Sequence, residues 1–262
     1  MVMGKVNEET IFINEETLWY GPNRNRKNPD SLEYLGEIRD LLVKGEVQKA
    51  QFLGKMAMTS TPKYVNPYQP VGDLRICFLD HKEKTSNYLR SLDIDNALAH
   101  VAYEMKGIQY KRELLVSQKY NVVAIKLTAS VPKSLTLSVN ISRKPFEENT
   151  AKINKNTAAN WGQCGVDGVN YFSAVRLEAK GGEISTIGDF VYAQDADEVY
   201  IYLTAETDFQ DNHDYKENCL KRLDLAESIG YDEIKKEHIA QYHSVYNRVS
   251  LDINHCQTDT TP

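Results

Sequence analysis

The chain has 262 residues, 41% hydrophobic and 26% charged, which is ordinary for a globular protein and enough for one large β domain or two small ones. Its 31 Lys and Arg against 37 Asp and Glu leave a net charge of -6, so there is no cationic surplus to neutralise phosphates, and a nucleic-acid partner is disfavoured. No apolar run approaches the roughly 20 residues that span a bilayer, and the N-terminus lacks the apolar core of a secretory signal.

Near the N-terminus, Ile11, Phe12 and Ile13 have strand composition, and Gly21-Pro22 forces a stop. Between them stand Asn14, Glu15, Glu16, Thr17, Leu18, Trp19 and Tyr20, a run that neither propensity nor periodicity requires. Such a corner either pins one layer of a fold to another or presents aromatics to a ligand. The first reading places Trp19 in a core, where truncating a buried Trp costs roughly 3–5 kcal/mol.

A basic, turn-rich loop follows over Asn23–Pro29. Asp30 or Ser31 then caps a helix whose apolar face is Leu32, Leu35, Ile38, Leu41 and Leu42. Gly45 breaks it, and Val47, Ala50, Leu53 and Ala57 mark a second amphipathic segment. Three prolines with Tyr64 and Tyr68 make Thr59–Pro70 an ordered loop.

From Val71 the period is two. Leu135, Leu137, Val139 and Ile141 alternate with polar neighbours, as Val199, Ile201, Leu203 and Ala205 do with Tyr200, Tyr202, Thr204 and Glu206, the pattern of half-buried antiparallel strands. Further strands are expected over about 72–79, 88–94, 97–105, 108–116, 122–128, 169–179, 184–187 and 189–192. Turns fall at Lys106-Gly107 and Lys180-Gly181-Gly182. Polar, Asn-rich Lys144–Trp161 reads as a long loop. Many strands joined by short turns predict an antiparallel β-sandwich. Two helices, His213–Ile229 and Tyr231–Asn247, separated by Gly230, follow, then a short strand over Arg248–Ile253 and a polar tail.

No catalytic centre is visible in the residues alone. Asp208, Gln210, Asn212 and Asp214 begin like a calcium loop, but His213 and Cys219 occupy the positions that need Gly and Glu. His238 and His243, five apart, lie on different helix faces and are read as structural or exposed. The sequon at Asn140 lies within a strand and is given no weight. Cys77, Cys164, Cys219 and Cys256 form no Cys-x-x-Cys pair, so free buried thiols are expected and a zinc or redox motif is not. No phosphate loop, dinucleotide fingerprint or nucleophile elbow occurs, and nothing marks two acids as partners for glycoside hydrolysis. No cofactor or metal is expected.

Several motifs in order carry a resemblance. Asn14-Glu-Glu-Thr-Leu-Trp19, Gly21-Pro22 and Asn28-Pro-Asp30 lead into a Leu-rich helix. Tyr68-Gln-Pro-Val-Gly-Asp-Leu74, Tyr88-Leu-Arg-Ser-Leu-Asp-Ile-Asp95 and Tyr110-Lys-Arg-Glu113 follow, then Gly162-Gln-Cys-Gly-Val-Asp-Gly-Val169 and Tyr242–Leu251. Together they resemble the N-terminal domain of the glycoside hydrolase family 95 α-L-fucosidases over nearly the whole chain. The resemblance implies a mainly β fold, a large antiparallel β-sandwich over 1–210 with a helical insertion at about 30–58. Residues 211–262 would be a helical linker with a short terminal strand, leading to a catalytic α/α toroid that is absent here.

In that family the full enzyme hydrolyses α-L-fucosyl linkages with inversion, and the general acid and the water-activating residues lie in the toroid, so no catalytic residue is carried over. The family's Gly-rich strand segment before Met1 is also lacking, and the chain reads as a piece of such an enzyme, from a truncated frame, a split gene or a deliberate cut. Open sheet edges and an exposed apolar face are then expected to favour self-association.

Candidates for substrate binding or the domain interface are Asn14, Glu16, Thr17, Trp19, Tyr20, Tyr68, Gln69, Asp73 and Trp161. The expected partners are a fucosylated glycan, through the full enzyme, and the catalytic toroid or a separately encoded remainder. An upstream export signal would make the enzyme periplasmic or extracellular. The competing reading is a free-standing carbohydrate-binding sandwich, with exposed aromatic rings against sugar faces and Asn14 and Gln69 as hydrogen-bond partners.

Overall fold

The computed structural model describes residues 2–144, 148–209 and 213–251. Two antiparallel sheets form the sandwich. The smaller has the order β1 (Glu8–Ile13), β2 (Gly72–Phe78), β7 (Leu135–Ser142), β12 (Phe190–Ala196) and β11 (Glu183–Ile187). The larger runs β3 (Ser86–Asp93), β4 (Leu98–Met105), β5 (Ile108–Ser117), β6 (Val122–Ala129), β13 (Glu198–Thr207), β10 (Asn170–Lys180), β9 (Thr157–Gln163) and β8 (Asn149–Asn154).

Alternation sets which side chains meet between the sheets. Leu135, Leu137, Val139 and Ile141 of β7 point into one core with Val199, Ile201 and Leu203 of β13 and Val175 and Leu177 of β10. Tight turns link the strands as expected: Lys106 and Gly107 both have positive φ, as do Gly181 and Gly182.

The half-buried reading of β13 needs correction, because its second face is buried as well. Tyr200 and Tyr202 lie in another core with Cys219, Leu223 and Ala226 of α3 (Tyr215–Ile229) and with Tyr231 and Ile234 of α4 (Tyr231–Tyr246). Tyrosine supplies a large apolar body, so an alternating pattern that looks half polar is covered on both sides. Gly230 separates the two helices with φ 81°. Arg176 donates to Asp224 at 2.7 Å and Glu227 at 2.9 Å, while Tyr231 and Lys235 both reach Glu113, pinning the helices to the sheet. His238 contacts the Asn96 and Ala97 carbonyls and His243 the Asp95 carbonyl, structural roles at the β3–β4 turn.

The expected loop at Lys144–Trp161 is instead largely the β8–β9 hairpin. Its strand character is hidden because Ala158, Ala159 and Asn160 have weak β propensity; pairing with β10, where Ala159 faces Ala174, supplies what propensity does not. Buried Asn160 accepts a hydrogen bond from Ser173. Arg248 lies in a turn and Val249–Leu251 form no strand; the rest of that expected strand lies outside the described residues. Cys164 and Cys219 are buried free thiols and Cys77 is half-buried, whereas Cys256 lies outside the described residues.

The N-terminal helices also depart from expectation. α1 (Ser31–Val43) buries no residue, and Leu32 and Leu42 of its anticipated core face are 83% and 51% exposed. It packs on α2 (Val47–Ala57), which buries only Ala50 and Ala57, so the two helices form a hairpin packed chiefly on itself. No side chain caps α1; Ser31 donates instead to the Ala57 carbonyl at 2.7 Å. Asn28 donates to the Met56 and Thr59 carbonyls, and Arg26 to Ser60, Pro62 and Lys63, closing the base of the hairpin.

Where β1 crosses β5, Glu9 and Arg112 pair at 2.7 Å with side chains 1% and 6% exposed. Glu9 also accepts the Met3 and Gly4 amides, so the turn before β1 is organised around its carboxylate. Beside it, His81 is boxed by Phe78, Tyr103 and Tyr110, with neither ring nitrogen hydrogen-bonded.

Candidate functional site

β1 ends at Ile13, and the chain turns through Asn14–Tyr20 before running into the helical hairpin. Glu15 builds the turn: one carboxylate oxygen accepts the Thr17 amide at 2.8 Å and the Thr17 hydroxyl at 2.6 Å. The Thr17 hydroxyl also meets that of Thr207 at 2.5 Å, tying the corner to β13. The incoming loop is stitched on by Gln69 N to Leu18 O, Tyr20 N to Pro67 O and Val71 N to Ile13 O, and Gly21 N reaches Cys164 O.

This geometry reverses the core reading of Trp19. Leu18 takes the buried position at 0% exposure, while Trp19 is 41% exposed. The indole is nevertheless fixed: its Nε1 donates to the Glu16 carbonyl at 3.0 Å, and it meets the Tyr68 ring edge-on at 5.3 Å. Tyr68 is anchored by its hydroxyl on the Glu15 carbonyl at 2.8 Å. Burial, reinforced by the Glu15 carboxylate, raises the Tyr68 pKa and keeps the phenol protonated. Tyr20 lies against Gly165, where φ is +82° and a Cβ would come within 2.8 Å of the ring, so this turn requires glycine.

The corner forms a ridge between two cavities. One, of about 440 Å³, is bordered by Thr17, Trp19, Asn23, Arg24, Asn66 and Phe209. The other, of about 320 Å³, is bordered by Asn14, Glu15, Glu16, Asn121 and Thr204. A larger cavity of about 600 Å³ lies between the β3–β4 edge and α4; its walls are mostly apolar, including Leu92, Leu114 and Val116, with Arg90, His100, His238 and Tyr242 at its border.

The nine sequence candidates therefore divide. Asn14 and Glu16 face one cavity, Thr17 and Trp19 the other, and Tyr68 supports Trp19 from below. Tyr20 packs on Gly165, and Gln69 contributes its backbone amide. Asp73 lies within β2 opposite Phe12 and Ser142. Trp161 stacks on Phe172 beneath Lys216 in the helix-side core and does not join the Trp19–Tyr68 pair. Asn23, Arg24, Asn66, Asn121 and Phe209 were missed: Asn23 and Arg24 follow the corner directly but read as a basic turn, and Asn66, Asn121 and Phe209 come from loops or strand ends distant in sequence. Asp208, first of the calcium-like residues, binds the Asn170 amide and side chain, while Gln210 and Asn212 lie outside the described residues. Among the described residues no cluster of three or more His, Cys, Asp or Glu is placed to hold a metal, and no helix is long and apolar enough to cross a membrane.

The chain is thus an antiparallel β-sandwich backed by helices, with an aromatic corner where β1 runs into the helical hairpin. Residues 1–212 match the family described as glycosyl hydrolase family 65, N-terminal domain, and the chain belongs to that family. Among characterised proteins it is similar to Alpha-L-fucosidase 2 of Arabidopsis thaliana, 25% identical over 293 aligned positions that take in 99% of this chain. That agrees with the α-L-fucosidase N-terminal domain resemblance read from the ordered motifs. The chain spans about a third, 34%, of that relative's length. A solved structure assigned as a kojibiose phosphorylase from human microbiome matches 66% of this chain and 27% of its own, with 15% identity and a TM-score of 0.48.

Proposed function

We propose that this chain is the non-catalytic β-sandwich part of an α-L-fucosidase-like glycoside hydrolase, which as a full enzyme removes α-L-fucosyl groups from glycans with inversion. In this reading 1–210 form the sandwich, and the helices of 211–262 connect it to a catalytic α/α toroid. The corner Asn14–Tyr20 stands at the seam and helps to wall the glycan path.

The observation that carries the reading is the chemistry of the corner. Among the described residues it offers fixed aromatic and amide groups without a pair of free carboxylates: Glu15 is committed to Thr17 and Asp208 to Asn170, leaving Glu16. Glycoside hydrolysis needs two carboxyl groups across the scissile bond. Similarity to an α-L-fucosidase supports the choice of sugar, and the share of that relative left uncovered is ample for a catalytic unit.

The test is hydrolysis of an aryl α-L-fucoside by the pure chain. No turnover is expected, and turnover abolished by Glu16→Gln would place catalysis in this domain and overturn the reading. The second reading, a sugar-binding sandwich, is favoured by one fact: Trp19 is fixed yet 41% exposed.

A further inference from the structure

Several groups at the corner keep exposed ring faces or uncommitted polar atoms. Trp19 and Phe209, each 41% exposed, both border the cavity of about 440 Å³. Asn23 and Arg24 line it with side chains that have no partner among the described residues. Asn66 uses its amide nitrogen on the Pro22 carbonyl at 3.3 Å and leaves its side-chain oxygen unpaired.

We propose that this cavity is a saccharide-binding site, in which Trp19 and Phe209 take the apolar faces of a neutral pyranose and Asn23, Arg24 and Asn66 bind its hydroxyls. The choice of a sugar over other small ligands rests on the reading of the chain as a glycoside hydrolase domain. The volume lies within the range of small-ligand sites, and the mix of apolar wall and few polar groups is typical of them. A guanidinium presents several donors in a fixed plane, suited to two adjacent hydroxyls. Among the described residues no Asp or Glu borders the cavity, so the lining offers binding groups and no carboxylate. Its floor is rigid before any ligand arrives, because the indole is held by Glu16 and Tyr68 and the next turn by Cys164.

The experiment is titration of the chain with L-fucose, D-galactose and fucosyllactose, following the two indole N–H signals in proton–nitrogen correlation spectra, assigned with Trp161→Phe. A saturable shift of the Trp19 signal is expected with at least one sugar, at a dissociation constant in the millimolar range, while the Trp161 signal stays in place. Arg24→Ala and Phe209→Ala, at exposed positions, should each weaken binding about tenfold. Phe52→Ala, an exposed ring on the helical hairpin, should leave it unchanged. Absence of a shift with all three sugars, or undiminished binding by both cavity variants, overturns the site. A chain that neither binds sugar nor hydrolyses the aryl fucoside loses the site and keeps the supporting role; one that binds and hydrolyses keeps the site and loses that role.

Discussion

Glu9 and Arg112 form an ion pair between the two sheets, 2.7 Å apart and closed off from water. Removing one partner from such a pair leaves an uncompensated buried charge and typically costs 3–5 kcal/mol, whereas replacing both by apolar residues is often neutral. Arg112→Met is therefore expected to lower unfolding free energy by about 3–5 kcal/mol in urea titration. Glu9→Leu with Arg112→Met should cost less than the sum of the single changes, although the Met3 and Gly4 amides lose their acceptor.

His81 predicts an acid-sensitive stability. Burial, with the Arg112 charge nearby, lowers its pKa from 6.5 to about 4 in the folded chain. The unfolded chain then binds the proton first, so stability is full above about pH 6.5 and falls as the pH drops toward 4. The loss over that window is on the order of 3 kcal/mol. Urea titrations at pH 7 and pH 4.5 measure it, and His81→Phe, which suits the aromatic box, should flatten most of the difference.

Leu18 and Trp19 are neighbours with opposite burdens. Leu18→Ala should cost about 2–5 kcal/mol, the range for a buried leucine, while Trp19→Ala should cost less despite removing a larger side chain. Thermal unfolding of the two variants checks the order, and a larger loss for Trp19→Ala would put the indole back into the core.

The apolar surface of the α1–α2 hairpin predicts self-association. Leu32, Val43 and Phe52 are 83%, 88% and 68% exposed on one small projection. Light scattering should show mass rising with concentration, and Leu32→Gln with Phe52→Ser should reduce the rise. A monodisperse monomer at high concentration would contradict the expectation.

Most of the sandwich was legible in the sequence because its inward residues alternate cleanly, as in β7, and because its turns carry Gly at positive φ. β8–β9 was not, since Ala158, Ala159 and Asn160 become a strand only through the neighbours they pair with. The hairpin was legible as two amphipathic helices, but amphipathicity says that a helix has an apolar face and not what covers it. At the corner, local sequence marked Trp19 and Tyr68. It did not reveal which of Leu18 and Trp19 turns inward, nor that Arg24, Asn66 and Phe209 share a cavity, because those are consequences of where the loops close.

The base of the α1–α2 hairpin has a consequence for how the chain tolerates change. Arg26 and Asn28 on the way in are bonded to Thr59, Ser60, Pro62 and Lys63 on the way out, so the two ends meet before the helices begin. The sandwich therefore experiences the hairpin as a closed loop of arbitrary content. Its amides should exchange with solvent as a separate, faster-opening unit, and a short linker from Asn28 to Thr59 should leave both sheets, and the corner beside them, intact.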